Sequence, residues 1–272
     1  MPLRFRVLGS GSSGNATLIE AGSSRILIDA GLGPRELQER LESAGVDPAS
    51  LQAIYLSHEH GDHSKGAVSF SRKWGVRLRG TRGTYAALGL GAEEIAGYDV
   101  LVAGSPSRAG AVSVTPVAVP HDAAEPVAFV VACNGHRLGH ATDLGHIGRG
   151  LVESFRECDA VLVESNYDPA MLRSGPYPWS LKERIAGGRG HLSNGDVGRY
   201  LSHGLGVACR EVVLAHVSRN NNHPEVVRMS ADQALDRRGR SEVAITISDA
   251  DGTGWIDVGS TPEPPSKQLR LF

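Results

Sequence analysis

Cysteine is scarce. The 272 residues contain three, Cys133, Cys158 and Cys209, with no C-x-x-C pair. An odd, unpaired set argues against a disulfide framework and predicts reduced thiols in a cytoplasmic protein. Long apolar runs are missing too. None approaches the ~18 residues that would span a bilayer. The opening "MPLRFRVLGSGSS" has no apolar run followed by a cleavage site, so neither a membrane anchor nor a secretory leader is expected. An excess of one charge is also lacking. Lys and Arg number 28 against 30 Asp and Glu, a net charge of −2. A protein that coats nucleic acid nonspecifically should be basic overall, so that class is excluded and any such contact must be local. Two local clusters qualify: Arg72, Lys73, Arg77, Arg79 and Arg82, and then Lys182, Arg184 and Arg189. Each reads equally well as a solvated charged face.

Glycine, by contrast, is plentiful at 34 residues, which implies many turns and close backbone approaches. Gly9, Gly11 and Gly14 in "VLGSGSSGN" spell G-x-G-x-x-G, and Asp29 lies where a ribose-binding acid would sit in a dinucleotide fold. That fingerprint needs a strand, a glycine turn, a helix and a second strand. Here Thr17–Glu20 and Arg25–Asp29 read as strands around a turn at Ala21–Ser24. A parallel crossover needs a dozen or more residues, so this is a hairpin and the fingerprint fails on context. The glycines instead let the chain turn tightly near a site.

Further along, Pro34 opens a helix with Leu37, Leu41 and Ala44 on one face and Gly45 as its stop. Leu51–Ser57 reads as a buried strand, and Ser64–Trp74 and Thr81–Leu88 as helices. Strands are expected at 100–102, 111–119, 127–133 and 137–140. Then strands 159–165 and 211–216 alternate with helices at 179–186 and 194–203, and a strand at 242–248 closes the set. Two such β-then-α halves predict two sheets packed face to face with helices outside. From Gly259 the chain becomes Pro- and Ser-rich, which reads as a flexible extension over 259–272 following a catalytic domain over 1–258.

The chemistry concentrates in "LSHEHGDH", Leu56–His63. His58, His60, Asp62 and His63 fall within six residues just past a strand. Imidazole and carboxylate together suit divalent Zn, Mn or Fe. The pattern H-x-H-x-D-H resembles the signature of the metallo-β-lactamase fold. Three further motifs follow in that family's order: "VAVPHD" with His121, "GHATDLG" with Asp143 and "VVLAHVS" with His216. The resemblance implies a four-layer αββα sandwich of the α/β class. It also implies two divalent metal ions, Mn or Zn before Fe. His58, His60 and His121 would hold one ion, and Asp62, His63 and His216 the other, with Asp143 bridging. The N-terminal glycines and "LIDAG" would line the site floor, with Asp29 orienting the ligand loop.

Fold alone does not fix the reaction. Asp62 beside a full second ligand set favours two ions clamping a phosphate. His191 in "GRGHLSNGD" lies where phosphodiesterase branches of the family carry an extra histidine that protonates the leaving oxygen. Asp62 and His191 are therefore the expected catalytic residues. The stretches "SGSSGN", "HEHGDHSKG", "TDLG", "ESNYDP", "YPWSLKERI", "GHLSN" and "NNNHPE" resemble the YycJ/WalJ group of exonucleases up to about residue 258. That resemblance implies 5′→3′ cleavage of DNA, with RNA a second possible substrate, in replication or repair. His140 and His146 flank Asp143 and read as outer or surface groups. Asn166, Tyr167 and His223 lie in the shared motifs without an assigned role. Gln268–Phe272, "QLRLF", resembles the peptide by which bacterial proteins bind the sliding clamp, with Gln268, Leu269, Leu271 and Phe272 as anchors and Arg270 departing from the pattern. Two other readings remain: a small-molecule ester or thioester hydrolase of the same fold, and a noncatalytic clamp adaptor.

Overall fold

The computed structural model describes residues 2–91 and 94–259. Its strands are β1 (Leu3–Gly9), β2 (Ala16–Ala21), β3 (Ser24–Ile28), β4 (Ala53–Tyr55), β5 (Leu78–Gly80) and β6 (Tyr98–Val100), then β7 (Ser107–Ala109), β8 (Val112–Ala118), β9 (Val127–Cys133), β10 (His136–Ala141), β11 (Ala160–Glu164), β12 (Glu211–Ala215) and β13 (Ala244–Ile247), and last β14 (Ile256–Val258). The first sheet runs β14-β1-β2-β3-β4-β5-β6 and the second β13-β12-β11-β10-β9-β8-β7.

Both faces of each sheet are buried, and strand alternation assigns the residues. Phe5, Val7, Ile19, Ile26 and Ile28 meet Val112, Val114, Phe129 and Leu162 between the sheets. Leu18, Leu27 and Ile54 point outward and pack on Leu37 and Leu41 of the helix Pro34–Ser43 and on Phe70 of the helix Ala67–Trp74. Val161, Val163 and Val212 do the same on the far side, against Phe155, Val197, Leu201 and Ala231. The result is the expected four-layer αββα sandwich. Period-2 side-chain placement makes it possible, because each strand can supply two different cores.

Several boundaries differ from expectation. Strand β14 follows β13 and pairs with β1, so the stretch 242–248 does not close the set. The strand expected over Leu51–Ser57 is confined to Ala53–Tyr55, because the Ser57 backbone turns away to Asp29 and Val127. The helix expected over Ser64–Trp74 is two pieces, Gly61–Ser64 and Ala67–Trp74. Gly66 at the break donates to the Ala30 carbonyl, and a Cβ there would lie 2.3 Å from the Leu32 carbonyl oxygen. Among the described residues no helix is long and apolar enough to cross a membrane. The 259–272 extension lies outside the described residues from 260 onward, and with it the "QLRLF" motif.

Candidate metal centre

Strand direction brings the predicted residues to one edge. Strands β3 and β4 are parallel, as are β10, β11 and β12, and β8 runs in the same sense as β10 through the antiparallel β9. Asp29 follows β3, His58 follows β4, His121 follows β8, Asp143 follows β10 and His216 follows β12. Glu164 is the last residue of β11. Three of these turn off their strands through left-handed backbone: Asp29 at φ 60°, Asp143 at 59° and His216 at 51°. Such conformations are unfavourable for residues other than glycine and collect at functional sites, where the surroundings enforce them.

The glycine loop after β1 explains itself at this edge. β1 and β2 pair antiparallel with no helix between them, so the dinucleotide reading is excluded. Asn15 N donates to the Asp62 carbonyl at 2.7 Å, and Gly31 N to the Asn15 carbonyl at 2.9 Å. A Cβ on Gly31 would lie 1.7 Å from the Asp62 carbonyl oxygen. Glycine is required there so that backbone can lie directly on backbone. Asp29 completes the support. Its Oδ1 accepts from Ser57 N, and its Oδ2 accepts from the Ser57 hydroxyl, both at 2.8 Å, and lies 2.7 Å from His63 Nδ1. One buried carboxylate thus fixes the start and the end of the histidine-rich loop 57–63.

The histidines and acids fall into two adjoining sets and a third, Asp143, Glu164, His191 and His216, that overlaps the second. The donor atoms of His58, His60 and His121 lie within 4.8 Å of one another, and so do those of Asp62, His63, Asp143 and His216. Asp143 stands between them. Its Oδ2 is 2.9 Å from His63 Nε2 and 3.2 Å from His216 Nδ1, while its Oδ1 is 3.9 Å from His121 Nε2. Asp62 Oδ2 is 3.7 Å from both His63 Nε2 and His216 Nε2. Within this crowd, His58 Nε2 and His216 Nε2 are buried without any hydrogen-bond partner. Buried polar atoms are seldom left so, because the desolvation cost is unrecovered. Two orphaned imidazole nitrogens among convergent nitrogen and carboxylate donors fit divalent metal ions. Burial, then the neighbouring His63, drives the His58 pKa well below its usual value, which leaves the neutral ring that metal ligation requires. Burial opposes charge on His216, but Asp143, Asp62 and Glu164 outweigh it and push it up to about 10. A bound ion would compete with that proton.

Glu164 is the residue that the sequence reading missed. It is fully buried. Its Oε1 accepts from Leu144 N at 2.9 Å and Leu192 N at 3.0 Å, and its Oε2 lies 3.0 Å from His191 Nδ1 and 3.3 Å from His216 Nδ1. Burial resists its ionisation, yet His191 and the hydrogen bonds from both histidines hold it at about 2. Burial likewise disfavours a charged His191, and the Glu164 anion outweighs it, raising the ring's pKa. A group of asparagines then ties the loops that carry these residues. Asn166 donates to the His216 carbonyl at 2.9 Å. Asn194 and Asn222 pair reciprocally through their amides at 2.9 and 2.8 Å, and Asn222 also donates to the Ser165 carbonyl at 2.9 Å. Structure thereby gives the "ESNYDP", "GHLSN" and "NNNHPE" motifs a common purpose, buckling the loops after β11 and β12 to the connection between the helices Trp179–Ala186 and Asn194–His203. His223 caps the helix Pro224–Arg237.

His60, Asp62, His121, Asp143, His191 and His216 line an open cavity of about 270 Å³. Its outer wall comes from Tyr177, Leu181, Arg184 and Ile185. The two basic clusters part company here. Arg77 and Arg79 both bind Asp99 on β6, whereas Arg184 is the one Lys or Arg among the described residues of the cavity wall. His140 is buried, 3.1 Å from the Thr17 hydroxyl, and burial pushes it down to about 4. His146 lies outside the cavity, 3.1 Å from the Gly188 carbonyl.

Residues 24–217 match the β-lactamase superfamily domain. The chain is 32% identical over 245 residues to exodeoxyribonuclease YycJ of Bacillus anthracis, covering 88% of this chain and 91% of that protein. It is 31% identical over 231 residues to exodeoxyribonuclease WalJ of Streptococcus pneumoniae, covering 84% and 86%. Its backbone superposes on the metallo-β-lactamase fold protein YhfI of Bacillus subtilis with a TM-score of 0.73 at 16% identity, over 94% of this chain and 100% of that one.

Proposed function

The chain belongs to the β-lactamase superfamily, and from that premise we propose that it is a metal-dependent nuclease that degrades DNA from the 5′ end. One observation carries the reading: a buried Glu164 holds His191 in the wall of the cavity that His60, Asp62, His121, Asp143 and His216 also line. Hydrolysis of a thioester expels a thiolate, a good leaving group, and needs no such additional acid. Phosphodiester cleavage must expel a poor alkoxide, and a positioned imidazolium shortens that step.

In this proposal His58, His60 and His121 hold one divalent ion, and Asp62, His63 and His216 a second, with Asp143 facing both. Mn or Zn fits this donor set, and Fe also. When bound, such ions supply Lewis acidity toward a phosphodiester and lower the pKa of water. Asp29 holds His63 by Nδ1, leaving Nε2 toward the centre. Asp62, ionised and partly exposed at the cavity, orients the attacking water. His191 keeps its proton through Glu164 and gives it to the departing oxygen. From sequence alone we add that Gln268, Leu269, Leu271 and Phe272 bind a sliding clamp, which would place the enzyme in replication or repair. Deleting 268–272 should then abolish clamp binding by surface plasmon resonance.

The test is duplex DNA labelled at either its 5′ or its 3′ end, incubated with Mn²⁺, Zn²⁺ or EDTA. Early release of labelled mononucleotide from the 5′ label alone, absent with EDTA and in Asp62→Ala, is the expected result. Turnover of a thioester without cleavage of DNA or RNA would overturn the nuclease reading.

A further inference from the structure

We propose that the helix Trp179–Ala186 is a nucleotide-binding wall, in which Arg184 grips a phosphate next to the one being cut while Leu181, Ile185 and Tyr177 receive a base or sugar face. This rests on the nuclease reading of the adjoining centre. Leu181, Arg184 and Ile185 are three and four residues apart, so one face of the helix presents all of them, and all three line the cavity. Ile185, Tyr177 and Leu181 belong to a small apolar cluster of their own with Tyr167 and Leu172, which fixes the wall beside the metal donors. Tyr177 is held by its hydroxyl, which accepts from Asn220 at 2.9 Å.

Arg184 is poised to exchange partners. Its Nε lies 2.5 Å from Asp122 Oδ2, with the two side chains 60% and 28% exposed. An ion pair exposed to that extent contributes little to stability. A guanidinium binds a phosphate through two parallel hydrogen bonds, a stronger match than a solvated carboxylate offers. Asp122 immediately follows His121, so the pair holds Arg184 beside the first donor set until a phosphate displaces the carboxylate. One cation flanked by apolar surface is the chemistry of a nucleotide unit, charged at one end and flat and apolar at the other. Bases gain affinity from stacking on an aromatic ring such as that of Tyr177 irrespective of sequence.

The experiment uses the Mn²⁺-loaded full chain and a short fluorescent duplex whose terminal linkages are phosphorothioates, so that binding is read before cleavage. Fluorescence anisotropy is followed across a KCl series. Arg184→Gln should weaken binding about tenfold or more and reduce the slope of log K against log[KCl] by about one, the signature of one lost phosphate contact. Arg184→Lys should keep the slope and lose part of the affinity, since lysine is a point charge. Leu181→Ala should weaken binding with the slope unchanged. If Arg184→Gln matches the parent in affinity and slope while the parent cuts unmodified DNA, Arg184 serves only to tie the wall to Asp122. The proposal then fails and the nuclease reading stands. If the parent neither binds nor cuts DNA, both fail.

Discussion

Glu164 exposes none of its surface, yet it contacts the two histidines on which the proposed chemistry depends. A carboxylate in this position fixes ring orientation and supplies negative charge where a proton must be held. Glu164→Gln keeps the shape and one hydrogen-bond acceptor but removes the charge. The variant should lose about 10–100-fold in kcat with little change in KM, as read by steady-state exonuclease kinetics. An unchanged kcat would show that His191 needs no anion. The sequence reading passed over this residue for a physical reason. "DAVLVES" is an apolar strand, and a strand-end glutamate looks like any solvated terminus. Its partners lie 27 and 52 residues away, and no short motif reveals such a distance. The candidate donors were legible because H-x-H-x-D-H compresses four of them into one loop. Their supports were only partly so: Asp29 drew notice, while the need for glycine at Gly31 appears only when Asp62 is seen lying on it.

At the level of elements, agreement followed the strength of the pattern. The apolar run Val127–Cys133 and the capped segment Asn194–His203 match their expected limits. The helix Pro224–Arg237 was missed although His223, Pro224 and Glu225 form a regular helix start. Its buried face is Val227, Ala231, Ala234 and Leu235, whose small side chains give weak periodicity. The first three strands are also joined across the sheet. Glu20 on β2 accepts from Arg4 on β1 and Arg25 on β3. Burial resists its charge, but the hydrogen bonds from Arg25 and Arg4 outweigh this and hold its pKa below the usual 4.5. A depressed carboxylate contributes stability above its unfolded pKa, which is lost as pH falls through the folded value. Glu20→Gln should therefore cost about 1 kcal/mol at pH 7, a modest sum because both arginines are partly exposed. In urea unfolding the gap between the two proteins should narrow as pH falls below the usual carboxylate range; a gap independent of pH would assign the effect to packing. The asparagine pair allows a similar test. Asn194→Ala and Asn222→Ala each break the same amide pair, so the double variant should be less destabilised than the sum by about 1–2 kcal/mol. Additive losses would mean that the loops are held independently.

For the whole molecule, the sandwich and the centre are one design. Sheet one supplies His58, His60, Asp62 and His63 through the loop after β4, and sheet two supplies His121, Asp143 and His216. Ions held by both groups would staple the sheets at a single edge, at the carboxyl ends of the strands where open α/β sheets place their ligands. The αββα architecture was legible in the order of the elements, two β-then-α halves, and in the family resemblance of the motifs. Which strands lie side by side at the centre was not, since strand order leaves no trace in the spacing of the motifs. The most direct test of the account is the metal content of the purified, Mn²⁺-loaded protein by inductively coupled plasma mass spectrometry, alongside His58→Ala and His63→Ala. Close to two ions per chain are expected in the parent and a loss of about one in each variant, one from each set. A parent that binds no ion, or variants that keep its full content, would contradict it.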